Sequence, residues 1–241
     1  MLGIPLKTTD AKKVDWTGGL DKYVSRVRAA VQIHVATNWH QGIPVHPALC
    51  SRSTCARQAY SKAQASAHAK QFAAVGDLHR QCSDVKALRD NVSDAAGRHG
   101  SDDPLATSEA MGTLLRYYRL LCSMETRFEA HELRIHFPWH DAFDHKIKQG
   151  EADLKFERTA TLFNVASLMS FVAIRQDRSD PEGIKAACLL FQQTAHVLSL
   201  LPPLVAASPW GGKQVSPDLH RSTAECLQAL MLAQVSSPDL P

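Results

Sequence analysis

The most regular pattern of hydrophobic positions in this chain lies between Met111 and Ser170. It opens with an apolar stripe whose members are three or four residues apart, which predicts an amphipathic helix capped by Thr107 or Ser108. The stripe consists of Met111, Leu114, Leu115, Tyr118, Leu121 and Cys122. This spacing predicts one helix face packed against a core.

A short strand is predicted directly after this helix. Leu133, Ile135 and Phe137 alternate with polar residues, as in a strand with one buried face. We expect the strand to end at Pro138, because proline has no backbone N–H for a sheet.

An apolar corner is predicted after the strand, at Trp139, Ala142 and Phe143. Asp141 and Asp144 lie among these residues, and aspartate side chains often accept hydrogen bonds from nearby backbone amides in turns. We therefore expect both carboxylates to stabilise the turn.

Three helices with short connections are predicted in the second half. Residues from Glu151 to Ile174 are apolar on most faces, which predicts a central helix. Asp180-Pro181 is typical of an N-cap followed by proline in the first turn, and Pro202-Pro203 is expected to end that helix. Ser216-Pro217 repeats the cap signal before the last helix. The pattern favours antiparallel helices stacked as a solenoid.

The first half of the chain has a less regular pattern. Leu2–Leu6 is consistent with an edge strand, and a helix begins at Leu20. Val35–Thr54 follows neither period and is predicted to be a loop or an insertion. Ala56–Ala96 is predicted to be a long polar helix with one apolar seam.

Composition and charge narrow the class of protein. The chain has 241 residues, of which 44% are hydrophobic and 21% charged, as in a globular protein. A net charge of +3 is too small to indicate nucleic-acid binding. No signal peptide is apparent, and the apolar region Ala160–Ile174 is shorter than the about 20 residues that span a bilayer. We expect a soluble cytoplasmic protein with reduced cysteines.

The histidine-rich segments do not have the spacing of a metal site. His34, His40 and His46 recur every six residues, with Cys50 and Cys55 behind them, and this spacing does not match a zinc knuckle. A second group, His131, His136, His140 and His145, falls on a strand and a corner. We expect no metal and no cofactor.

Motifs of enzymes are likewise missing from the sequence. It has no nucleophile elbow, no glycine-rich phosphate loop and no H-E-x-x-H. Hydrogen bonds to turn amides account for Asp141 and Asp144, so we do not interpret them as a catalytic pair of carboxylates. We expect a binding module, because a stack of helices offers a long face to a peptide.

Four blocks of the chain resemble the Bro-one domain of Alix-like adaptors. They are Leu114–Phe128, Phe137–Asp144, Phe156–Ser170 and Glu182–Leu201. The motif residues that carry the resemblance are Phe137, Trp139, Asp141, Phe143, Phe156, Leu162, Phe163 and Asn164.

This resemblance implies a mainly α fold. The family domain is a boomerang-shaped solenoid of tetratricopeptide-like helix hairpins with a small N-terminal β-sheet. It implies a non-enzymatic adaptor of the ESCRT pathway, cytoplasmic and endosome-associated, that serves multivesicular-body sorting and membrane scission. The implied partner is the C-terminal amphipathic helix of the main ESCRT-III filament subunit.

The resemblance also suggests partner-binding residues and domain limits. Lys185 is the polar position that matches the partner groove, and Ile184 and Leu189 are its apolar neighbours. Residues 1–234 are expected to form a partial Bro-one-like domain with an irregular insertion at about 35–54, and residues 235–241 a tail unlike the family. Because the family domain continues further, the chain is expected to be truncated at its C-terminus.

Alternatives remain open from the sequence. The chain could serve another branch of the family, in ambient-pH signalling or as a Rho-linked scaffold, or be a non-functional fragment. A weaker hypothesis is contact with the endosomal membrane surface through a basic cluster near the N-terminus. That cluster consists of Lys12, Lys13, Lys22, Arg26 and Arg28.

Overall fold

The computed structural model describes residues 3–9, 14–15, 85–92, 104–126, 135–212 and 214–235. The helix predicted from Leu20, the loop at 35–54 and the basic cluster at 12–28 lie outside these residues. Of the long helix predicted at 56–96, only 85–92 is described, and it is helical.

The described residues form helices and one small sheet, which confirms the mainly α fold class. In chain order after helical segment 85–92, the elements are α1 (Pro104–Glu125), β1 (Phe137–His140), β2 (Lys148–Glu151), α2 (Leu154–Ile174), α3 (Pro181–Ser199), α4 (Leu201–Ala206), a 3-10 turn (Pro217–Leu219) and α5 (Arg221–Val235). Helix α2 packs against both α1 and α3, and α3 packs against α5.

The sheet is an antiparallel hairpin whose position differs from the prediction. Strand β1 begins at Phe137 and contains Pro138, which pairs with Gly150 of β2, so ending a strand at Pro138 was wrong. Proline is tolerated here because a two-stranded sheet has edges that need no donor. The edge strand predicted at Leu2–Leu6 was also wrong for residues 3–6, since side chains of α2 bond their backbone instead.

Helix α1 begins at Pro104, earlier than the predicted cap at Thr107 or Ser108. Proline suits the first helical turn because its missing N–H is not needed there. The buried stripe is also rotated relative to the predicted one and consists of Ala110, Leu114, Tyr117, Leu121 and Met124. Tyr118 is only half-buried, because the ring that enters the core is that of Tyr117.

The predicted central helix is confirmed as α2. Asp153 caps its N-terminus by accepting a hydrogen bond from the Lys155 amide at 2.9 Å. The helix starts after Glu151, because Glu151 ends strand β2. Nearly every residue from Leu154 to Leu168 is buried, so the other elements pack around this helix.

The proline signals place the later helices with two corrections, of which one is that Ser216-Pro217 opens the 3-10 turn, whereas α5 begins only at Arg221. Asp180 and Pro181 occupy the N-cap and the first turn of α3, as predicted, although the Asp180 side chain makes no cap hydrogen bond. Pro202 and Pro203 do not end α3, which stops at Ser199, but lie in the first turn of α4. Prolines fit there because the first turn has no intrahelical acceptors for their missing donors.

One described stretch, Pro181–Ala206, is long and apolar enough to cross a membrane by length and composition alone. Core helices of soluble proteins satisfy the same criterion. The inner face of α3 packs against α2 and α5, whereas Leu189 and Leu200 are exposed.

Candidate partner-binding surface and the polar clusters behind it

The outward face of α3 contains two of the three residues predicted to contact a partner. The side chain of Lys185 is 72% exposed and forms an ion pair with Glu182 at 2.7 Å. Leu189 lies one turn further along and is 54% exposed. Ile184 is half-buried, so it lies at the border of this face and not at its centre.

Packing on the opposite side fixes which residues α3 exposes. Phe191, Ala195 and Leu198 are buried in the contacts with the neighbouring helices. Because residues four apart share one face of a helix, Lys185 and Leu189 must then point away from the core. Leu200, at the end of α3, is also 39% exposed.

The motif residues that carried the resemblance are mostly structural. Phe137, Trp139, Asp141, Phe156, Leu162, Phe163 and Asn164 are all buried. Phe143 is the exception, because it is 51% exposed. The apolar corner predicted at Trp139, Ala142 and Phe143 therefore has two buried members and one exposed aromatic ring.

A buried carboxylate at the start of α2 joins four separate parts of the chain. Glu157 accepts hydrogen bonds from Arg89 Nε and the Tyr117 hydroxyl, each 2.8 Å from Oε1, and from Trp139 Nε1 at 2.6 Å from Oε2. The Arg89 guanidinium also lies 5.3 Å from the centre of the Trp139 ring. Glu157 and Arg89 are both fully buried, so each charge needs the other.

The pKa values of Tyr117 and Arg89 in this cluster are both raised. Burial, helped by the negative charge of Glu157, raises the pKa of Tyr117 well above its usual value. Burial acts to lower the pKa of Arg89, but Glu157 and Tyr117 together outweigh it, so that pKa is raised overall. Tyr117 thus stays a neutral donor and Arg89 stays charged near neutral pH.

The N-terminal strap, residues 3–9, lies along a polar stripe of α2. Asn164 binds both backbone groups of Lys7: its Oδ1 accepts from Lys7 N at 2.8 Å and its Nδ2 donates to Lys7 O at 3.0 Å. Ser170 Oγ accepts from Ile4 N at 2.9 Å, and Ser167 Oγ donates to Ile4 O. This stripe explains why polar residues interrupt an otherwise apolar helix.

Two aspartates connect the strap to the hairpin and to the 3-10 turn. Asp218 Oδ2 accepts hydrogen bonds from the Lys7 ammonium and from Ala142 N, the latter at 2.8 Å. Asp141 Oδ2 accepts from Asp218 N at 2.9 Å, and Asp141 Oδ1 accepts from the amides of Phe143 and Asp144. The expectation that Asp141 and Asp144 stabilise the turn is confirmed, since Asp144 Oδ1 accepts from Lys146 N at 2.9 Å.

The loop between the two strands is here called the hairpin tip, residues 141–147. It exposes two apolar side chains, Phe143 at 51% and Ile147 at 38%. Three basic residues, His145, Lys146 and Lys148, are exposed beside them. The hairpin tip therefore presents two apolar side chains beside two exposed lysines, together with the exposed Asp144.

Neither a metal site nor a disulfide is evident in the part of the chain that the structure describes. No group of three or more potential metal ligands comes together there. Cys122, Cys188 and Cys226 are free thiols.

An open groove of about 680 Å³ lies between α4 and the start of α5, bordered by Pro202, Leu219 and Arg221 among others.

Comparison with known proteins identifies the fold that these clusters support. The family model described as "BRO1-like domain" matches residues 54–237, well over half of the chain. The chain belongs to the BRO1-like domain family. The resemblance noted in the sequence is thereby confirmed, whereas the limits 1–234 and 235–241 stay predictions.

Two curated relatives illustrate the degree of similarity of this BRO1-like domain. "ALG-2 interacting protein X" of Dictyostelium discoideum is 32% identical over 180 residues, which cover 74% of this chain and 20% of the relative. Human "Rhophilin-1" is 33% identical over 139 residues, covering 57% of this chain and 20% of the relative. The chain thus matches about a fifth of the length of these relatives.

Solved structures confirm the fold of this BRO1-like domain. The crystal structure of ALIX in complex with the SIVmac239 PYKEVTEDL late domain has a TM-score of 0.66 and 23% identity over 98% of this chain and 28% of that one. The ALIX BRO1 CHMP4C complex has a TM-score of 0.60 and 22% identity, over 98% and 54% respectively.

The sequence did not identify Glu157, Lys7 or Asp218 as important, although signals for two of them exist. Glu157 is a charged residue directly after Phe156 at the start of an apolar helix. Asp218 follows the Ser216-Pro217 cap signal. Lys7 carries no such signal, because its partner is 211 positions away in the sequence.

Proposed function

We propose that this BRO1-like domain is an adaptor that binds the amphipathic C-terminal helix of an ESCRT-III subunit through the outward face of α3. The fold is shared with the ALIX BRO1 domain, which has been solved in complex with CHMP4C. The observation that carries the proposal is Leu189, a 54% exposed leucine on a face where Lys185 is also exposed.

The chemistry of this face suits an amphipathic helix with an acidic edge. Leu189 offers apolar surface to the partner's apolar stripe, which is how a helix binds a hydrophobic groove. Lys185 pairs with Glu182 at an exposed position, and such pairs contribute little to stability. Lys185 is therefore available to exchange Glu182 for an acidic side chain of the partner.

A binding titration tests this proposal. The full chain is titrated into a fluorescently labelled peptide of the CHMP4C C-terminal helix, and anisotropy gives the dissociation constant. An aspartate at the centre of an apolar contact should weaken binding by about tenfold or more, so we expect this loss for Leu189→Asp. Lys185→Glu should weaken it less and reduce its dependence on salt.

The matched control is Ile147→Asp, which places the same charge on an exposed apolar residue of the hairpin tip. We expect it to bind the peptide like the wild-type chain. Equal affinities of wild type and Leu189→Asp would disprove a binding site on α3.

Membrane contact is a second candidate function, supported by the hairpin tip. Phe143 and Ile147 are exposed beside Lys146 and Lys148, and such a combination suits the interface of an anionic bilayer. A solved structure titled "Structure basis for endosomal targeting by the Bro1 domain" shares the fold, with a TM-score of 0.59 and 19% identity over 98% of this chain. We place the proposed adaptor on the cytoplasmic side of endosomes.

Flotation with vesicles tests the membrane contact. We expect the chain to float with phosphatidylcholine vesicles that carry phosphatidylserine, and not with phosphatidylcholine alone. The double variant Phe143→Ser/Ile147→Ser should remain in the bottom fraction, and Leu189→Asp should float like wild type. Flotation of the double variant at the wild-type level would contradict the role of the tip.

Other branches of the family remain alternatives to the ESCRT proposal. The similarity to Rhophilin-1 supports a Rho-linked scaffold, and ambient-pH signalling is the other alternative. A pull-down in which an ESCRT-III tail and a Rho-family GTPase compete for the full chain separates them. Capture of the GTPase without the tail would favour the scaffold.

A further inference from the structure

One carboxylate oxygen connects the N-terminal strap to the hairpin tip. Asp218 Oδ2 accepts the hydrogen bond of Ala142 N at 2.8 Å and also the ammonium of Lys7. In the opposite direction, Asp218 N donates to Asp141 Oδ2 at 2.9 Å. The first residues of the tip are therefore bonded to a side chain whose charge is balanced by the strap.

The strap is fixed independently of this contact. Asn164 holds both backbone groups of Lys7, and Thr8 O accepts from His140 N at 2.8 Å. Thr9 Oγ1 donates to Pro138 O and accepts from Arg89 Nη2, the latter at 2.8 Å. The strap thus joins α2 to the end of β1 that leads into the tip.

The tip in turn passes this restraint on to its exposed residues. Asp141 Oδ1 accepts from Phe143 N and Asp144 N, both at 2.9 Å, and Asp141 N donates to Ile147 O at 2.9 Å. A displacement of Asp141 would therefore displace the backbone of both Phe143 and Ile147.

We propose that the strap, with Lys7 as its deciding side chain, positions the hairpin tip by holding Asp218 against Ala142 and Asp141. Lys7 and Asp218 are positioning residues for the surface that Phe143 and Ile147 form. The consequence for membranes rests on the membrane contact proposed above, whereas the positioning itself does not.

The physical reason is the cost of an unpaired buried charge. Lys7 and Asp218 side chains are 1% and 0% exposed. If the ammonium is removed, Asp218 becomes a buried carboxylate without a counter-ion, and it must turn toward water or recruit it. Either response releases the Ala142 amide and loosens the tip.

Hydrogen exchange of the full chain tests this coupling. In Lys7→Met we expect the amides of Phe143, Asp144 and Lys146 to exchange about tenfold faster than in wild type. In the double variant Lys7→Met/Asp218→Asn these rates should return toward wild type. The asparagine carries no charge, and its Oδ1 can again accept from Ala142 N.

Two further variants keep the test specific. Ala195→Gly lowers the stability of α3 without touching the strap, so its tip amides should exchange at the wild-type rate. Thr9→Val removes only the hydroxyl between Arg89 and Pro138, and it should raise the tip exchange by a smaller factor. If Lys7→Met does not fold, Thr9→Val decides the question alone.

The outcomes separate the positioning from the membrane function. The proposal would be overturned if the tip amides of Lys7→Met exchanged at the wild-type rate, or those of Thr9→Val if Lys7→Met does not fold. It would also be overturned if Ala195→Gly raised the exchange rates of the tip amides equally. In flotation, Lys7→Met should lose binding in parallel with its faster tip exchange. If wild type does not float, the membrane contact fails, and the exchange rates still decide whether the strap positions the tip.

Discussion

At the scale of single residues, the buried carboxylate of Glu157 connects α2 to three other parts of the chain. Its carboxylate accepts hydrogen bonds from Arg89, Tyr117 and Trp139. Breaking a buried ion pair by removing one partner costs about 3–5 kcal/mol, because the other charge stays buried. We therefore predict that Glu157→Gln lowers the free energy of unfolding by about that amount.

Urea unfolding followed by circular dichroism measures this loss. The matched control is Glu182→Gln, which removes an exposed glutamate from its ion pair with Lys185 and should change stability little. Similar stabilities of the two variants would show that the Glu157 cluster does not support the core as described.

Asp141 makes the stability of the hairpin tip dependent on pH. Burial acts to raise its pKa, but hydrogen bonds from the amides of Asp144, Asp218 and Phe143, with the nearby charge of Lys7, lower it overall. Because the folded pKa lies below the unfolded value of about 4, this stabilisation is complete above that pH. It is lost as the pH falls through the folded pKa.

We predict that Asp141→Asn is less stable than wild type by about 1–3 kcal/mol at neutral pH, because its amide group faces backbone donors. The difference should shrink as the pH falls below about 4. Unfolding at a series of pH values measures it, with Asp180→Asn as control, because Asp180 is exposed and its side chain makes no cap hydrogen bond. A constant difference across the series would contradict the assigned role of the carboxylate.

At the scale of single elements, one proline signal placed the start of a helix correctly, and two others did not act as predicted. Asp180-Pro181 marked the start of α3 correctly, because proline in the first turn costs no hydrogen bond. The expectation for Pro202-Pro203 was wrong, because both residues lie in the first turn of α4 and α3 already stops at Ser199. A proline pair indicates that no helix interior lies at that position. It does not indicate whether the pair follows the end of one helix or lies in the first turn of the next.

The phase of α1 shows a second limit of the hydrophobic pattern. Tyr117 and Tyr118 are adjacent, and either could complete a stripe with spacings of three and four. The structure buries Tyr117, whose hydroxyl reaches Glu157 forty positions later in the chain. The spacing of apolar residues does not show which of two neighbouring tyrosines is buried, because that depends on a carboxylate far away in the sequence.

The proposed partner-binding residues came from the family resemblance and not from the hydrophobic pattern. Lys185 and Leu189 share the outward face of α3, as a spacing of four requires. The helical period alone offers many such pairs, so it could not have selected this one. The exposure of Phe143 was missed because an aromatic ring beside Trp139 was expected to be buried.

At the scale of the whole molecule, the sequence predicted the stack of helices but not the contacts that join its ends. The strap binds α2 through Asn164, Ser167 and Ser170, at separations of 157 to 166 residues. These polar residues were visible as interruptions of an apolar helix. The backbone groups that they bind lie far away in the sequence, so a local pattern does not predict these contacts.

Two different surfaces of one scaffold carry the proposed contacts. The outward face of α3 is proposed to bind an ESCRT-III helix, and the hairpin tip to contact the membrane. Because Leu189→Asp and Ile147→Asp each change one surface, the two variants control for each other. An adaptor with both contacts would bring the filament subunit to the membrane on which it acts.

The most direct test of this account is a thermal melt of the full chain with and without the CHMP4C C-terminal helix. A ligand that binds only the native state must raise the midpoint, by the equivalent of about 2.7 kcal/mol at a hundred times its dissociation constant. We predict a rise for wild type and for Ile147→Asp, and a clearly smaller rise for Leu189→Asp, whose affinity is expected to be at least about tenfold lower. An unchanged midpoint for wild type at saturating peptide, or an equal rise for Leu189→Asp, would contradict the proposed adaptor site.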